Sequence, residues 1–467
     1  MSTTAADVHL DPAALDALVS DFHGELIRPA DPAFDARRKV WNGAIDRRPA
    51  LIARCTGVAD IRAALAFARR TGLTVAVRGG GHSFPGHSTC DGGLLVDLGL
   101  LKGVRVDPVR RTVRAQAGVL LGELDRETQA FGLATPSGIV THTGVAGLTL
   151  GGGIGWLMRK YGLSVDNLLS VDLVTAEGEL VTADEEANTE LFWGVRGGGG
   201  NFGIVTEFEF RLHPVGPILP AGPVIWPMES AVDLLHFYRD WITAVPDELT
   251  TAVIQRWLPP LPTIPAEHHG RPVVMVLACY AGPIEDGERV LAPLKAFAPP
   301  LLDLCAPRPY LALQSMFDAS YPHGRWYHMR SCDVDELSDE VIDIAVERGR
   351  AINAPWSSYP IFQLGGAVAR VAPEATAFGG RSSGHTFNFV GSTVGAEGFP
   401  EQRDWARQSW QRLAPHQSGV YVNFLSDEGE DRIRSAYGAA AFDRLKALKR
   451  HYDPANLFHL NQNISPA

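Results

Sequence analysis

Three glycines followed by a histidine form the stretch of this sequence with the clearest capacity for chemistry. Residues 75–88 read V-A-V-R-G-G-G-H-S-F-P-G-H-S, in which a short β-branched run precedes the glycines and His82. Adjacent glycines can adopt positive φ and let backbone N–H groups approach phosphate oxygens closely. A nucleotide cofactor under the loop, with a nucleophilic imidazole beside it, would explain the arrangement. The alternative is a glycine-rich turn with an ordinary surface histidine, because a lone glycine motif is not specific.

Two further glycine-rich segments lie downstream. Residues 136–157 read P-S-G-I-V-T-H-T-G-V-A-G-L-T-L-G-G-G-I-G-W-L, and residues 196–203 read R-G-G-G-G-N-F-G. So many glycines among apolar residues suggest backbone that lies flat against a large planar ligand; the alternative is that they let neighbouring elements pack closely. Neither segment is the dinucleotide-binding fingerprint, because G-G-G-I-G-W lacks a strand-then-helix setting with a later ribose-binding acid.

The elements that must position His82 form a predicted β-α-β unit, the expected setting for a nucleotide site. Its parts are a strand at 51–53, a helix at 58–70 that ends in basic residues before Gly72, and a strand at 75–77. Other predicted elements are an opening helix at 11–27, a strand pair at 168–175 and 179–182, a strand at 204–212, and, in the tail, a strand at 419–424 and a helix at 440–452.

A change in composition follows three prolines at 214, 217 and 220. From about 221 to 420 the glycine runs disappear, aromatic residues increase, and strands such as 273–280 alternate with amphipathic helices such as 231–242 and 338–350. We therefore expect a second, α+β domain that presents a substrate surface. Two domains are also the natural expectation for 467 residues.

Composition and charge disfavour several classes of protein. The net charge is −11, and no basic run points to nucleic acid as a partner. The five cysteines are scattered and lack CxxC spacing, so we expect neither disulfides nor a metal site. The N-terminus has no signal-peptide pattern, and no apolar run approaches membrane-spanning length. We expect a cytoplasmic protein without a membrane partner.

Five motifs, taken together, resemble one family of flavoproteins. They are R-G-G-G-H-S (78–83), G-G-G-I-G-W-L-M-R-K-Y-G-L-S-V-D-N (151–167), E-L-F-W-G-V-R-G-G-G-G-N-F-G-I-V-T (190–206), Y-V-N-F (421–424) and the tail D-P-A-N-L-F (453–458). In this order, over nearly the whole chain, they resemble the berberine-bridge-enzyme-like branch of the vanillyl-alcohol-oxidase superfamily. The resemblance implies a two-domain α+β flavoprotein. Its FAD-binding domain would span residues 1–215, completed by 421–467, and its substrate-binding domain residues 216–420.

The resemblance also implies the cofactor and its attachment. It implies FAD rather than NAD, and in the family the histidine that matches His82 bonds to the 8α-methyl group of the isoalloxazine ring. Such a bond needs a fixed, deprotonated imidazole that adds to an electrophilic form of the flavin. Attachment withdraws electron density from the ring and should raise its potential, which favours substrate oxidation.

Three positions depart from the family's pattern. Many members carry a second covalent link from a cysteine in a segment reading G-V-C-P-T-V-G, but here Val140 holds that position within 138–144. We therefore expect FAD attached through His82 only. Thr143 stands where a small apolar residue often admits oxygen, which leaves the choice between oxidase and dehydrogenase open. Ile154 stands where many plant members have an active-site tyrosine.

The glycine clusters would supply backbone N–H groups to the pyrophosphate and the flavin ring. With the family's pattern they imply a set of cofactor-binding residues: Arg78, Gly79, Gly80, Gly81, His82, Ser83, Gly86, His87, Gly118, Gly138, Thr143, Gly144, Gly147, Leu148, Gly151, Gly152, Gly153, Asn201, Gly203, Ile204, Val205, Tyr421, Asn423 and Asn463.

Tyr421 is the first candidate for a catalytic base, because family members use a tyrosine at the start of the matching Y-x-N segment. A phenol has a pKa near ~10, which neighbouring groups must lower for it to serve. The alternative is a strand tyrosine that packs at the domain junction. Further catalytic candidates that could face the ring lie in strand-like segments of the second domain: Asn388, Tyr327, His385 and Gln363.

These residues predict an FAD-linked oxidoreductase that transfers hydride from a CH–OH or CH–NH group of a small molecule to covalently bound FAD, with oxygen as the second substrate. A base that takes the adjacent O–H or N–H proton would assist the transfer. The alternatives are a flavin dehydrogenase, a redox cyclase of secondary metabolism, or a flavin-loaded protein without turnover. A hydrolase is disfavoured because the one G-x-S-x-G match, at residues 380–384, comes before a strand-like segment and not in the strand-turn-helix setting of a nucleophile elbow. We expect a monomer or small homo-oligomer.

Overall fold

The computed structural model describes residues 10–467. Most of the N-terminal segment that lacks a signal-peptide pattern in the sequence lies outside the described residues. The helices are α1 (Pro12–Asp21), α2 (Phe34–Arg37), α3 (Val58–Thr71), α4 (Leu121–Gln129), α5 (Val145–Leu150), α6 (Met158–Tyr161), α7 (Thr189–Val195), α8 (Ala231–Trp241), α9 (Ile284–Ala296), α10 (Tyr310–Gln314), α11 (Asp339–Arg350), α12 (Ala367–Arg370), α13 (Phe399–Leu413), α14 (Glu430–Tyr437) and α15 (Ala439–Tyr452).

The strands are β1 (Glu25–Ile27), β2 (Leu51–Arg54), β3 (Val75–Arg78), β4 (Leu94–Asp97), β5 (Val104–Asp107), β6 (Thr112–Gln116), β7 (Leu133–Ala134), β8 (Leu168–Val174), β9 (Leu180–Asp184), β10 (Ile204–Arg211), β11 (His213–Pro214), β12 (Ile218–Pro227), β13 (Leu249–Trp257), β14 (Pro272–Tyr280), β15 (Leu302–Asp303), β16 (Ala306–Pro309), β17 (Trp326–Val334), β18 (Ser358–Gln363), β19 (His385–Thr393) and β20 (Gln417–Gly419).

Two sheets of the N-terminal half position the glycine-rich loop. The first has the order β1-β2-β4-β3, in which β2 and β3 each pair in parallel with β4, so α3 is the crossover helix of the predicted β-α-β unit. The second sheet is antiparallel, with the order β5-β6-β10-β8-β9. The loop with His82 leaves the carboxyl end of β3, where ligands of parallel sheets usually bind.

The C-terminal half contains a large antiparallel sheet with the order β15-β12-β14-β13-β18-β19-β17-β20, and β16 also pairs with β12. Side chains alternate between its two faces, as a strand requires. On β14, Val274 and Val276 pack into one core with α8, α9, α11 and α13, while Met275 and Leu277 join the core of the N-terminal half. The second face thus packs against the N-terminal half, and its part on β17, β18 and β19 forms one wall of a cavity between the two halves.

Most predicted elements are confirmed, and two are wrong in part. The opening helix ends at Asp21, and Glu25–Ile27 is instead a strand that pairs with β2. The tail strand predicted at 419–424 is limited to Gln417–Gly419, and Val422–Phe424 forms a 3₁₀ turn. This turn brings the side chain of Asn423 within hydrogen-bond distance of the Leu148 carbonyl.

The five cysteines are buried free thiols. Within residues 10–467, no helix is both long and apolar enough to cross a membrane.

Candidate active site

A cavity of about 380 Å³ lies between the two halves of the described chain. The glycine loop after β3 and the segments 138–150 and 199–205 line it from the N-terminal half. The inner face of the large sheet supplies a second wall, and the tail closes the space with residues 421–425 and 458–462. All three glycine-rich segments noted in the sequence therefore meet at one cavity.

The glycines around this cavity serve two different purposes. Gly80 and Gly144 pack against each other, since a Cβ on Gly80 would lie 2.2 Å from the backbone nitrogen of Gly144. Gly147 and Gly200 line the cavity, and a Cβ on either would meet no atom of the described residues within 4 Å. The first pair joins two segments of chain, whereas the second pair leaves room for a ligand.

Arg78 and Asp97 fix the start of the His82 loop. The Arg78 guanidinium donates to the Asp97 carboxylate at 2.8 Å and to the Lys39 carbonyl at 3.1 Å, and both charged side chains are buried. Burial is the largest single influence on the Asp97 carboxyl and acts to raise its pKa. The positive charge of Arg78 and its hydrogen bond act to lower it, and the pKa of Asp97 lies below its ordinary value. Gly81 then takes a φ of +71°, and the chain turns His82 towards the cavity.

His82 lies in a cluster of three histidines. Its Nε2 is 2.6 Å from Nδ1 of His142, and its Nδ1 is 3.5 Å from the hydroxyl of Thr143. The ring of His323 is 4.8 Å from that of His142. Burial, reinforced by the two neighbouring imidazoles, holds the pKa of His82 well below its usual value, and burial also lowers the pKa of His142 and of His323. The cluster is therefore neutral at pH 7.

The other face of His82 rests on an aromatic stack. The ring of Trp41 lies 4.7 Å from that of His82 and 3.9 Å from that of Tyr327. The hydroxyl of Tyr327 donates to the Pro322 carbonyl at 2.8 Å. Tyr327 thus stacks on Trp41, the residue that contacts His82, and lies outside the cavity lining.

Tyr421 stands at a second, fully buried polar point of the cavity. Its hydroxyl oxygen accepts hydrogen bonds at 2.8 Å from the backbone N–H of Gly153 and at 2.8 Å from the amide of Asn423. Burial raises the pKa of Tyr421 to about 12, although the two donors act in the opposite direction. The Asn423 amide also donates to the Leu148 carbonyl at 2.9 Å, which ties the tail to the glycine-rich segment.

The sheet wall is mostly apolar with one amide. Met329, Pro360, Phe362 and Val390 line it. Asn388 lies among them, is 1% exposed, and its Oδ1 has no hydrogen-bond partner in the part of the chain that the structure describes. A buried, unpaired amide oxygen costs free energy unless a ligand supplies a donor. His385 and Gln363 do not line this cavity.

The D-P-A-N-L-F motif fixes the tail below the cavity. The carboxylate of Asp453 accepts from the backbone N–H groups of Leu457 at 2.7 Å and Phe458 at 2.9 Å, and it pairs with the Lys449 ammonium at 2.6 Å. Lys449 also donates to the Asn201 carbonyl at 2.9 Å, so a fully buried ion pair connects helix α15 to the third glycine cluster.

The predicted site residues fall into two groups. Those that line the cavity are Gly79, Gly80, Gly81, His82, Ser83, His87, Gly138, Thr143, Gly144, Gly147, Leu148, Gly203, Ile204, Val205, Asn388, Tyr421 and Asn423. Those outside the lining are Arg78, Gly86, Gly118, Gly151, Gly152, Gly153, Asn201, Asn463 and Tyr327. Residues outside the lining can hold its segments in place. Asn201, for example, accepts from the backbone N–H of Ile464 at 3.0 Å and donates to the Gly198 carbonyl at 2.8 Å.

Sequence reasoning did not single out His142, His323, Trp41 or the ion pair of Lys449 with Asp453. The D-P-x-N-x-F motif was a signal for Asp453, because an aspartate that accepts from N–H groups four and five residues later ends a helix in a fixed turn. For His142 and His323 the sequence offers no local signal, because they come from segments 181 residues apart.

The residues present fit a large flavin nucleotide. Several buried polar atoms on the cavity wall find no hydrogen-bond partner among residues 10–467: Nε2 of His87, Oγ of Ser88, Oδ1 of Asn388 and Oδ1 of Asn461. Beside them are the ligand-facing glycines, apolar side chains and a neutral histidine. A ligand that combines phosphates, a polar chain and a flat ring would satisfy this mixture of polar and apolar surface.

Comparisons with known proteins agree with this fit. Residues 49–184 match a family described as FAD binding domain, and residues 420–465 match one described as berberine and berberine like. An FAD-linked oxidoreductase of Dictyostelium discoideum is 34% identical over 432 residues, which cover 92% of this chain and 91% of that protein. The (R)-6-hydroxynicotine oxidase of Paenarthrobacter nicotinovorans is 29% identical over 95% of this chain and 97% of its own.

The crystal structure of 6-hydroxy-D-nicotine oxidase from Arthrobacter nicotinovorans superimposes with a TM-score of 0.86, at 28% identity over 96% of this chain and 98% of its own. The two halves and the cavity between them are therefore those of a vanillyl-alcohol-oxidase-type flavoprotein. This chain belongs to the berberine-bridge-enzyme-like family and is an FAD-dependent oxidoreductase.

Proposed function

We propose that this enzyme oxidises a CH–OH or CH–NH group of a small, largely apolar molecule, using FAD attached covalently through His82 alone and oxygen as electron acceptor. The observation that carries the proposal is His82 itself, a neutral imidazole with Nδ1 beside cavity-lining Thr143. A neutral nitrogen with a free lone pair is what attachment requires. Single attachment is supported by Val140, which lines the cavity at the position of the family's cysteine.

We also propose how the chain divides between cofactor and substrate. We propose residues 1–215 and 421–467 as the FAD-binding domain and residues 216–420 as the substrate-binding domain. Backbone N–H groups of 79–81 and 199–200, with Asn461 and Gln462, would hold the nucleotide. When bound, FAD supplies the hydride acceptor. The sheet wall with Met329 and Phe362 would exclude water from the reacting C–H bond.

Tyr421 is the group that we propose to bond the substrate's O–H or N–H. Because its oxygen already accepts two N–H donors, its own hydrogen is left to point into the cavity. The same two donors stabilise the phenolate, which can take up the substrate's proton, but burial keeps the pKa at about 12. Asn388 on the opposite wall offers an unpaired amide oxygen to a second donor of the substrate.

A dehydrogenase is the second candidate, because the hydroxyl of Thr143 lines the cavity where family members often have a small apolar residue that admits oxygen. Hydrogen peroxide released during turnover in air separates the two: an oxidase forms it in a ratio of one to each substrate oxidised, and a dehydrogenase does not.

The experiment that tests the attachment is a visible spectrum of the purified protein before and after acid precipitation, for wild type and for His82→Ala. Yellow colour that stays with the wild-type precipitate and washes out of the variant is the expected result. Flavin that washes out of both would overturn the covalent assignment. A panel of aromatic and aliphatic alcohols and amines, mixed with the protein without air, should then bleach the flavin if the oxidoreductase proposal is correct.

A further inference from the structure

His142 is the hydrogen-bond partner of His82, a contact for which the proposed function gives no role. We infer that His142 selects the reactive tautomer of His82 and accepts a proton from it while FAD becomes attached, an inference that rests on the proposed covalent link. The two atoms in contact are Nε2 of His82 and Nδ1 of His142, 2.6 Å apart. This distance requires one nitrogen to donate and the other to accept.

The contact determines which nitrogen of His82 is free. A neutral imidazole has one N–H and one lone pair. If Nδ1 of His142 accepts, the N–H of His82 is on Nε2 and its lone pair is on Nδ1, which lies on the side of Thr143, a residue of the cavity wall. The hydrogen bond therefore directs the nucleophilic nitrogen of His82 towards the place where the flavin would lie.

Nδ1 of His82 forms a bond to the 8α carbon of FAD, and this carbon loses one proton. The imidazole, now bonded at Nδ1, is cationic, so its Nε2 proton becomes acidic and passes to Nδ1 of His142. The electron pair of the broken C–H bond reduces the ring system, and dioxygen removes both electrons with two protons as hydrogen peroxide.

The surroundings hold His142 in place and give the proton a way out. Asp318 accepts from the backbone N–H of Thr141 at 2.9 Å and from its hydroxyl at 2.5 Å, which fixes the chain one residue before His142. His323, an exposed residue, lies beside His142, with its ring centroid 4.8 Å from that of His142. A proton taken up by His142 can therefore reach solvent without crossing the cavity.

The test is the rate at which apoprotein, made in a riboflavin-deficient host, links added FAD covalently, measured as flavin fluorescence of the denatured protein over time. His142→Ala removes both the acceptor and the base. His142→Asn keeps an acceptor oxygen but cannot take up a proton. His236→Ala is the control, because His236 lies on α8, does not line the cavity and is not one of the three clustered histidines.

General bases contribute about 10²–10⁴-fold, so we expect attachment to slow at least ~100-fold in His142→Asn, at least as much in His142→Ala, and less than about 3-fold in His236→Ala. Added imidazole should accelerate attachment in His142→Ala and leave the wild type unchanged, which a purely structural role would not produce. Quenching of FAD fluorescence on non-covalent binding shows whether each variant folds. If His142→Ala does not fold, His142→Asn decides.

Attachment at the wild-type rate in His142→Ala, or in His142→Asn where it decides, overturns the inference but leaves the covalent link through His82 intact. Flavin that is never retained by acid-precipitated wild type overturns the proposed link and the inference together. The two failures are therefore distinguishable.

Discussion

The two polar ends of the cavity show that one physical effect can have opposite chemical consequences. At the histidine end, burial lowers the pKa of His82 and keeps the imidazole neutral, which makes it a nucleophile. At the tyrosine end, burial raises the pKa of Tyr421 to about 12 and keeps the phenol neutral, which weakens it as a base. Desolvation therefore favours the attachment that we propose at His82, whereas the base role that we propose for Tyr421 needs its two N–H donors to counteract desolvation.

The ends also differ in their access to water. The histidine cluster reaches the surface through His323, which is exposed, whereas Tyr421 is 3% exposed and receives both of its N–H donors from Gly153 and Asn423. A proton released at the histidine end can leave directly. A proton taken up by Tyr421 has no exposed titratable neighbour of this kind beside it among the groups that contact its hydroxyl. We therefore propose that attachment, which would occur once, takes place at the open end and turnover at the closed end.

Removal of the phenol is expected to have the largest effect on turnover. Tyr421→Phe keeps the ring that packs 4.7 Å from Phe424 but deletes the oxygen that Gly153 and Asn423 contact. Because general acid–base groups contribute about 10²–10⁴-fold, we expect kcat for flavin reduction to fall roughly 10³-fold. Stopped-flow absorbance of flavin bleaching without air measures this rate.

The control for Tyr421→Phe is the covalent flavin content, which should equal that of the wild type because attachment belongs to the other end. A variant that bleaches at the wild-type rate would show that Tyr421 is not the base. A variant that loses covalent flavin would show that the two ends are not independent.

The contrast in pKa predicts opposite pH profiles. Tyr421 must lose its proton to act as a base, so the active fraction should rise about tenfold per pH unit below its pKa of about 12. The rate of flavin reduction should therefore increase steeply from pH 7 to pH 9. His82 and the histidines that face it, His142 and His323, all have lowered pKa values and are neutral throughout this range, so the attachment rate should stay flat.

Both rates can be measured in the same buffers, with flavin reduction in stopped flow and attachment from the fluorescence of denatured protein. Flavin reduction that is independent of pH would contradict a role for the Tyr421 phenolate. An attachment rate that rises with pH would mean that a histidine of the cluster is still protonated at neutral pH.

The sequence predicted more of the histidine end's backbone than of its side-chain partners. The loop with His82 follows from a strand, three glycines and the β-α-β unit, all local in sequence. The partners His142 and His323 could not be predicted, because they are brought to His82 by the contact of Gly80 with Gly144 and by the bonds of Asp318 to Thr141. Such contacts between distant segments leave no periodic pattern.

At the tyrosine end the residue was predicted and its geometry was not. Tyr421 was expected on a strand, but the chain turns at Val422–Phe424 so that Asn423 can donate to both Tyr421 and Leu148. Tyr327 and Asn388 were both expected on strands, which is confirmed for β17 and β19, yet Asn388 lines the cavity and Tyr327 does not. Tyr327 lies on the same face of β17 as the cavity-lining Met329, two residues away, where it packs on Trp41. Periodicity shows which residues share a face of a strand but not how far along that face a cavity extends.

Removal of the Asn388 amide should slow turnover less than removal of the Tyr421 phenol, because the amide would bind substrate without taking part in proton transfer. Asn388→Leu is similar in size and removes the unpaired Oδ1. A neutral hydrogen bond contributes about 0.5–1.5 kcal/mol, so we expect KM to rise up to about 10-fold for a substrate with a second donor, with kcat nearly unchanged.

A matched pair of substrates, with and without the second donor group, is the control for Asn388→Leu. The variant should lose discrimination between them. Equal losses for both substrates would show that Asn388 only supports the wall, and a loss confined to kcat would place it near the reacting atoms.

The smallest expected effect concerns Thr143, which lies beside the histidine end and lines the cavity. Thr143→Ala opens space where family members often have a small apolar residue, so reduced enzyme should react with oxygen several-fold faster. Flavin reduction by substrate should change less than about twofold, because Tyr421 is untouched. Mixing anaerobically reduced protein with oxygenated buffer gives the reoxidation rate, and Thr143→Ser, which keeps the hydroxyl, is the control. If both variants reoxidise at the wild-type rate, the Thr143 hydroxyl does not limit the reaction of the reduced enzyme with oxygen. The residues that decide between oxidase and dehydrogenase would then lie on the sheet wall or in the tail.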